Sequence, residues 1–399
     1  MSNIGSWMQT VGVGILVTQV THRAGWTGLV AAAAFVPIGF LSPVGGAMAD
    51  RVDRKMWFLA TTAGETAFAT LLAVLVATGH GTPALVTMTV FGGGVFTALG
   101  FPAYQAILPD IVPREELLAA AALGATQYNF GRIAGPALTG VILAISSFSV
   151  VFMINAISFG AVIVALLLVR LPERAPVAAD EGGLWTRIRT GARGAWEEPG
   201  CRTAILFIGS VALLLSPFIA LIPAVALKIL HEGSRGTSIL VTAQGVGAVA
   251  GALALAPLAH RFGRSRLLLV DLAVVLPASL VAYALSPSLG AAVVALVAVG
   301  AAYIGVLSGL MTVVQLRAPE ALRARILSLY MVALGSIYPL GAVLHGWLGD
   351  RIGLRAVTTG AAVIFSAGVL FVLARRTQIV GALEEPGEEV LTPTPLPVG

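Results

Sequence analysis

Charge is what this chain has least of. Only 11% of its 399 residues are Asp, Glu, Lys or Arg, where soluble globular domains carry roughly 25%. There is too little polar surface to wrap the chain in water, which excludes a cytosolic enzyme and a disordered scaffold. A lone cysteine, Cys201, excludes a disulfide-stapled secreted domain. Lys55 and Lys228 are the only lysines among 24 basic residues, an arginine bias that hints at a GC-rich bacterial gene. Those basic residues stand singly between apolar runs. The pI of about 9.8 therefore signals no nucleic-acid face, and no nucleic-acid partner is expected. His22, His80, His231, His260 and His345 show no metal-ligand spacing, and Gly-rich nucleotide loops and serine nucleophile elbows are missing. No enzyme, metal or cofactor is expected.

What fills the chain instead is hydrocarbon. Some 57% of residues are hydrophobic and mean hydropathy is +0.93. A helix crossing roughly 30 Å of hydrocarbon needs about 20 apolar residues. Twelve such runs lie near 2–20, 27–49, 56–78, 84–107, 119–145, 148–169, 203–227, 236–259, 267–287, 289–313, 326–347 and 355–374. Period-two alternation over about 10 residues, the mark of barrel strands, is missing. The expected fold is an all-α polytopic membrane protein whose twelve transmembrane helices form two pseudo-symmetric six-helix bundles. With the N-terminus in the cytoplasm, 18 Lys and Arg fall in inner loops and tail, five outside, and Arg132 within a span. That asymmetry predicts a bacterial inner (plasma) membrane protein with both termini cytoplasmic. No basic residue precedes Arg23, so a signal peptide is not expected. The first span begins almost at Met1, and a basic segment upstream of it is the expectation.

The chain repeats itself. Gly46-Ala-Met-Ala-Asp50-Arg51-Val-Asp53-Arg54-Lys55 matches Ala256-Pro-Leu-Ala-His260-Arg261-Phe-Gly263-Arg264-Ser265 at an offset of 210. Val112-Pro113 matches Ala318-Pro319 at 206, and Gly131-Arg132-Ile133 matches Gly335-Ser336-Ile337 at 204. Recurrence in order marks a duplicated six-helix unit, a known transporter plan with its substrate site near the midplane between halves. The domains expected are an N-terminal bundle at 1–170, a cytoplasmic linker at 171–200, a C-terminal bundle at 201–375 and a disordered tail at 376–399. In the linker, Trp185, Ile188, Ala192 and Trp196 line one helix face beside Arg187, Arg189 and Arg193. This reads as an interfacial amphipathic helix, or as a solvated linker with incidental tryptophans.

These motifs resemble the major facilitator superfamily. The Gly46 to Lys55 loop looks like its signature, and Gly131, Gly135, Pro136 and Gly140 resemble the antiporter motif of its exporters. Pro102-Ala103-Tyr104-Gln105, Leu108-Pro109-Asp110, Gln315, Arg323, Arg325 and Ser328-Leu-Tyr330 are similar to the enterobactin-exporter and macrolide-efflux branch. The resemblance implies that Asp50 meets the positive N-terminus of the eleventh helix, near Arg325, when the cytoplasmic side closes. Gly46, Asp50, Arg51, Arg54 and Lys55, with Arg261, Arg264 and Arg325, are then gating residues; the alternative is interfacial charges serving topology alone. Asp53 stands where the family usually has glycine at positive φ, and His260 replaces the second-half aspartate. The Gly349-Asp350-Arg351-Ile-Gly353 run repeats the pattern at the wrong side of the membrane and is set aside.

A charge at the centre of a span costs at least about 2.5–3.5 kcal/mol, so Glu65, Arg132 and Asp271 are functional candidates. Glu65 lies roughly 13 Å into the third span. It is either the proton carrier or a salt-bridge partner of Arg132. Arg132 reads as a substrate or proton-relay residue, or as a packing group. Asp271 is expected to turn toward the interface and pair there. The resemblance places a cavity among the first, fourth, seventh and tenth helices, lined by Gln9, Thr10, Thr97, Tyr104, Gln105, Phe207, Phe218, Tyr303 and Gln315, with Gln244 beside them. That set suits a bulky, largely apolar or neutral ligand. The expected function is proton-coupled export of an amphipathic small molecule, such as a drug, macrolide or siderophore, by alternating access. The proton gradient is the energy source, and the protein is expected to work as a monomer. The alternatives are a symporter or importer of a small neutral solute, and a transport-dead scaffold or sensor.

Overall fold

A computed structural model describes residues 2–169, 184–375 and Leu383. The side chains of Asp50, Leu108, Arg114, Leu118, residues 184–188, Ala321 and Ala324 fall outside the described part. So do Met1, with the upstream segment expected before it, the linker through residue 183, and all of the 376–399 tail except Leu383.

The described residues form thirteen helices: α1 (Ser2–Thr21), α2 (Ala24–Arg51), α3 (Arg54–Ala77), α4 (Pro83–Ile111), α5 (Leu117–Ile145), α6 (Phe148–Leu168), α7 (Leu184–Glu197), α8 (Pro199–Lys228), α9 (Ser234–Phe262), α10 (Arg264–Leu285), α11 (Leu289–Arg317), α12 (Arg323–Ile352) and α13 (Leu354–Arg375). Two contain π turns, α8 at Val211–Leu215 and α10 at Asp271–Val275. The breaks are chemically marked. Thr82 caps α4 with Pro83 in its first turn, Ser288 caps α11, and Gly79, Gly263 and Gly353 take positive φ between helices.

All of these except α1, α5 and α7 are long and apolar enough to cross a membrane, which makes ten candidate spans. Asn3, Gln9 and Thr10 dilute α1; Gln127, Asn129 and Arg132 dilute α5. Both are nonetheless integral to the bundle, α1 packing on α5 and α6. The duplication is visible in the packing. In the first half α2 lies on α4, α3 on α4 and α3 on α6; in the second α9 lies on α11, α10 on α11 and α10 on α13. The halves touch through two seams, α2 with α12 and α5 with α9.

One expectation changes here. Asp53 has φ −57 and needs no glycine: its Oδ1 accepts from Met56 N–H at 2.7 Å and caps α3. In the second half Gly263 fills the matching turn at φ +82. Leu383 is buried, and its carbonyl accepts from Ser265 Oγ at 3.0 Å. In the linker helix, Gly191 and Gly194 let α7 lie against Arg325 and Leu322 of the second half. Ala192 and Trp196 point outward, and Arg202 stacks over the Trp196 ring at 5.9 Å.

Candidate functional site

The arginine-rich connections, α2–α3, α4–α5, α9–α10 and α11–α12, collect at one end of the bundle. At the opposite, far end the halves are latched. Asp350, in the last turn of α12, accepts from Ala24 N–H at 2.8 Å through Oδ1 and from Gly25 N–H at 2.8 Å through Oδ2. Its Oδ1 also accepts from Lys228 Nζ at 2.7 Å. A carboxylate thus closes the positive N-terminus of α2 and pairs with the end of α8 at once. The sequence pattern set aside earlier is therefore an inter-half contact. Along the same seam Gly28 abuts the Ala342 carbonyl, Phe35 and Tyr338 meet edge to face at 5.3 Å, and Gly39 meets Ser336.

On the α5–α9 seam a Cβ on Gly140 would fall 2.8 Å from Ser238 Cβ, and one on Gly245 3.1 Å from Ile133. Gly131 and Gly135 do a different job. They admit Asn3 and Trp7 of α1, a Cβ on Gly135 falling 2.6 Å from Trp7 Cβ, and Pro136 is buried beside them. The motif therefore binds α5 to α1 with two glycines and to the other half with the third.

Below the middle the seams open. Continuing the same helix faces toward the arginine-rich end, Ala122 and Thr126 on α5, Ala252 and Ala256 on α9, and Ser328 and Val332 on α12 are exposed. The structure is closed at the far end and parted at the arginine-rich end.

Arg132 sits where the parting begins. Its Nη2 donates to Gln244 Oε1 at 3.0 Å across the seam, and its guanidinium lies 5.9 Å from the Trp7 ring centre. Tyr128 packs on Trp7 at 5.9 Å, and Tyr128 and Tyr303 lie near the guanidinium. Tyr303 exchanges a hydrogen bond with Ser216 at 2.9 Å and packs edge-on against Phe218. Thr10 is exposed one turn from Gly14, which rests on Pro223 of α8, so it shares the face that α1 turns to the second half.

Other expected site residues stand elsewhere. Glu65 does not pair with Arg132; it accepts from Thr97 Oγ1 at 2.5 Å, binding α3 to α4. Gln9 accepts from Asn155 Nδ2 at 2.8 Å and so faces α6. Tyr104 turns away from the second half, stacking near Phe58 and Phe101 beside a groove of about 380 Å³ lined by Ile107, Val162 and Val169. Gln105 and Gln315 are exposed toward the arginine-rich end, and Phe207 is buried in α8. Asp271 does not reach the interface. It is buried in the π turn of α10 against Gly305, and its Oδ1 has no hydrogen-bond partner.

Among the gating candidates, Arg54 pairs with Asp110 at 3.3 Å and Lys55 donates to the Val169 carbonyl at 2.7 Å, fastening α3 to α4 and α6. Arg51, His260 and Arg264 are exposed, and Arg261 stacks over Phe262 at 5.4 Å. Gly46 lies near Pro102 of α4. Arg325 is held beside α7.

A twelve-helix plan duplicated around a midplane cleft is what the comparisons with known proteins bear on. The sequence profile of the transmembrane secretion effector family matches residues 1–394. This chain belongs to that family, a branch of the major facilitator superfamily. It is similar to the enterobactin exporter EntS of Citrobacter koseri, 28% identical over 349 residues that cover 85% of this chain and 80% of that one. The multidrug efflux pump Tap of Mycobacterium tuberculosis is 27% identical over 366 residues, 89% and 86% of the two chains. With the staphyloferrin A transporter of Staphylococcus aureus the match, 29% identical, spans only 39% of this chain and 40% of that protein. In fold the chain is similar to the nucleoside transporter NupG, with a TM-score of 0.69 at 16% identity over 95% and 98% of the chains. A D-xylose–proton symporter gives 0.70 at 13% identity over 93% and 95%. The protein is a multi-span membrane transporter of the superfamily and not an enzyme.

Proposed function

We propose that this transporter exports a bulky amphipathic small molecule, loading it from the cytoplasm and discharging it outside at the expense of the proton gradient. The observation that carries the reading is the cleft. Its apex holds Trp7, Arg132, Gln244 and Tyr303, it opens at the arginine-rich end, and it is sealed behind by the Asp350 latch. The arginine excess assigns that open end to the cytoplasm, so cargo enters from inside. Relatives named as exporters support the direction. When the cytoplasmic end closes, Asp50 meets the start of α12 near Arg325, with Arg51, Arg54 and Lys55 beside it.

Coupling falls to the carboxylates within the spans. Glu65 lies about 17 Å along α3 from Arg54, and Asp271 about 10 Å along α10 from Arg264. A buried carboxylate oxygen without a partner, as at Asp271, marks a functional group. One proton entering down the potential supplies roughly 2.3 kcal/mol per 100 mV.

The test uses inside-out vesicles with an internal pH dye and an imposed gradient, comparing wild type, Glu65→Gln and Asp271→Asn. Adding macrolides, lipophilic dyes or apo-siderophores releases protons from wild type, and one of the two variants loses that release while still binding cargo. Release unchanged in both variants, or release absent in wild type for every compound it binds, overturns the coupling.

A further inference from the structure

Among the described residues, Arg132 has no counter-ion. Among the described residues its partners are the Gln244 amide oxygen and the Trp7 ring, with Tyr128 and Tyr303 nearby, and no carboxylate pairs with it. An arginine carries five N–H donors in a fixed fork, and only one is taken by Gln244. Gln244 is 2% exposed, and because its Oε1 faces the arginine, its Nε2 points elsewhere and has no partner. What the apex leaves unsatisfied is therefore one positive charge and several N–H donors beside an indole. Burial without compensation is costly for both groups.

Packing does not require the charge. The repeat puts Ser336 at the position of Arg132, and there the α2–α12 seam closes against Gly39 with a hydroxyl. A seam of the same geometry thus forms with a small neutral residue. The charge is there for something that is not part of the chain.

We propose that the apex of the cleft, Arg132 with Gln244 and Trp7, binds an oxyanion carried by the cargo, a carboxylate attached to a planar aromatic body. The guanidinium fork meets the two carboxylate oxygens, Gln244 holds the fork in place by accepting from Nη2, and the ring stacks among Trp7, Tyr128 and Tyr303. An anion so held is tied to both halves through Arg132 of α5 and its bond to Gln244 of α9. Cationic amphiphiles are disfavoured at the same point. This narrows the neutral-ligand expectation and rests on the reading of the cleft as the cargo chamber.

Three fluorescent probes with one aromatic body test it: 1-pyrenebutyrate, 1-pyrenebutanamide and 1-pyrenemethylammonium. Equilibrium binding to the full-length protein in nanodiscs is read by anisotropy against protein-free discs. Wild type binds the butyrate at least about tenfold more tightly than the amide, the worth of one charge-assisted hydrogen bond, and the ammonium most weakly. Arg132→Gln removes the preference, and thermal unfolding matching wild type shows that the variant is folded. Arg132→Lys keeps a reduced preference, since a point charge lacks the fork. Gln244→Leu weakens butyrate binding more than amide binding. Equal affinities in wild type, a preference that survives Arg132→Gln, or no probe binding overturns the site. The measurement needs neither a gradient nor a direction, so intact anion binding without proton-coupled transport would overturn the exporter reading alone.

Discussion

The two seams that join the halves are copies of one another, and they have been put to different uses. On α2–α12 the charge lies at the far end, where Asp350 seizes the first turn of α2 and Lys228. The matching position on α5, 204 residues earlier, is Ser146. There the start of α9 is met from its own loop, Glu232 packing on Gly236 rather than a carboxylate crossing from α5. On α5–α9 the charge lies at the middle, Arg132, where α12 has Ser336. A shared scaffold explains neither charge, because each is present in one copy only. One seam carries the latch, and the other carries the grip on cargo.

Close approach separates the seams more sharply than charge, and it yields the largest expected effect. Gly28 on α2 is apposed to the backbone carbonyl of Ala342, whereas Gly140 on α5 faces a side chain, Ser238. A carbonyl cannot be trimmed. Gly28→Leu should therefore hold the far end apart and cut vesicle transport by more than about tenfold, the scale of 1–3 kcal/mol of overpacking. Gly140→Ala should lose less, and Ser238→Gly should restore it. If Ser238→Gly fails to rescue, or Gly28→Leu transports normally, the seams are not distinguished by what each glycine meets.

The latch comes next. Asp350→Asn keeps oxygen for one backbone N–H but drops the charge facing the α2 terminus and Lys228. A helix terminus contributes about 0.3–1 kcal/mol and a partly exposed ion pair about 0–1 kcal/mol. Together these shift the far-end equilibrium toward opening by about twofold to thirtyfold. Spin labels on Val20 and Ile352, both exposed at that end, should report a longer, broader distance distribution in the variant. The shift should shrink with added salt. An unchanged distribution would leave Asp350 as a cap for α2 and nothing more.

Much of this frame was legible in sequence, because hydrocarbon thickness dictates run length and duplication leaves an offset. All the expected spans correspond to helices, and the Gly131 to Gly140 motif could be read as close packing, though which helix each glycine admits could not. Asp350 was legible as a residue and illegible as a latch. Its partners are backbone N–H groups 325 and 326 residues away, which no motif displays. Tyr104 and Gln9 were misplaced for a related reason: polar and aromatic residues in a span signal a partner but not which face of the helix holds it. Asp271 was expected to turn toward the interface and pair there, Arg266 being only five residues away in sequence. The π turn at Asp271–Val275 instead points it at the space left by Gly305.

The smallest effects belong to the two loops that repeat each other at the arginine-rich end. Both turn a helix sharply into the next, by different means. Gly263 does it with φ +82 and ψ 135, a conformation nearly closed to other residues; Asp53 does it with φ −57 and a side-chain cap on Met56 N–H. Gly263→Ala should therefore destabilise the purified protein by about 1–3 kcal/mol. Asp53→Ala should cost about 1 kcal/mol through loss of the cap, and Asp53→Gly only a few tenths. Thermal unfolding in one detergent ranks the three. If Asp53→Gly proves markedly stabilising, the first loop is a strained version of the second. If it is near neutral while Gly263→Ala is not, the two loops are separate solutions to one turn. In that case the capping carboxylate has taken over the work that the glycine does in the second half.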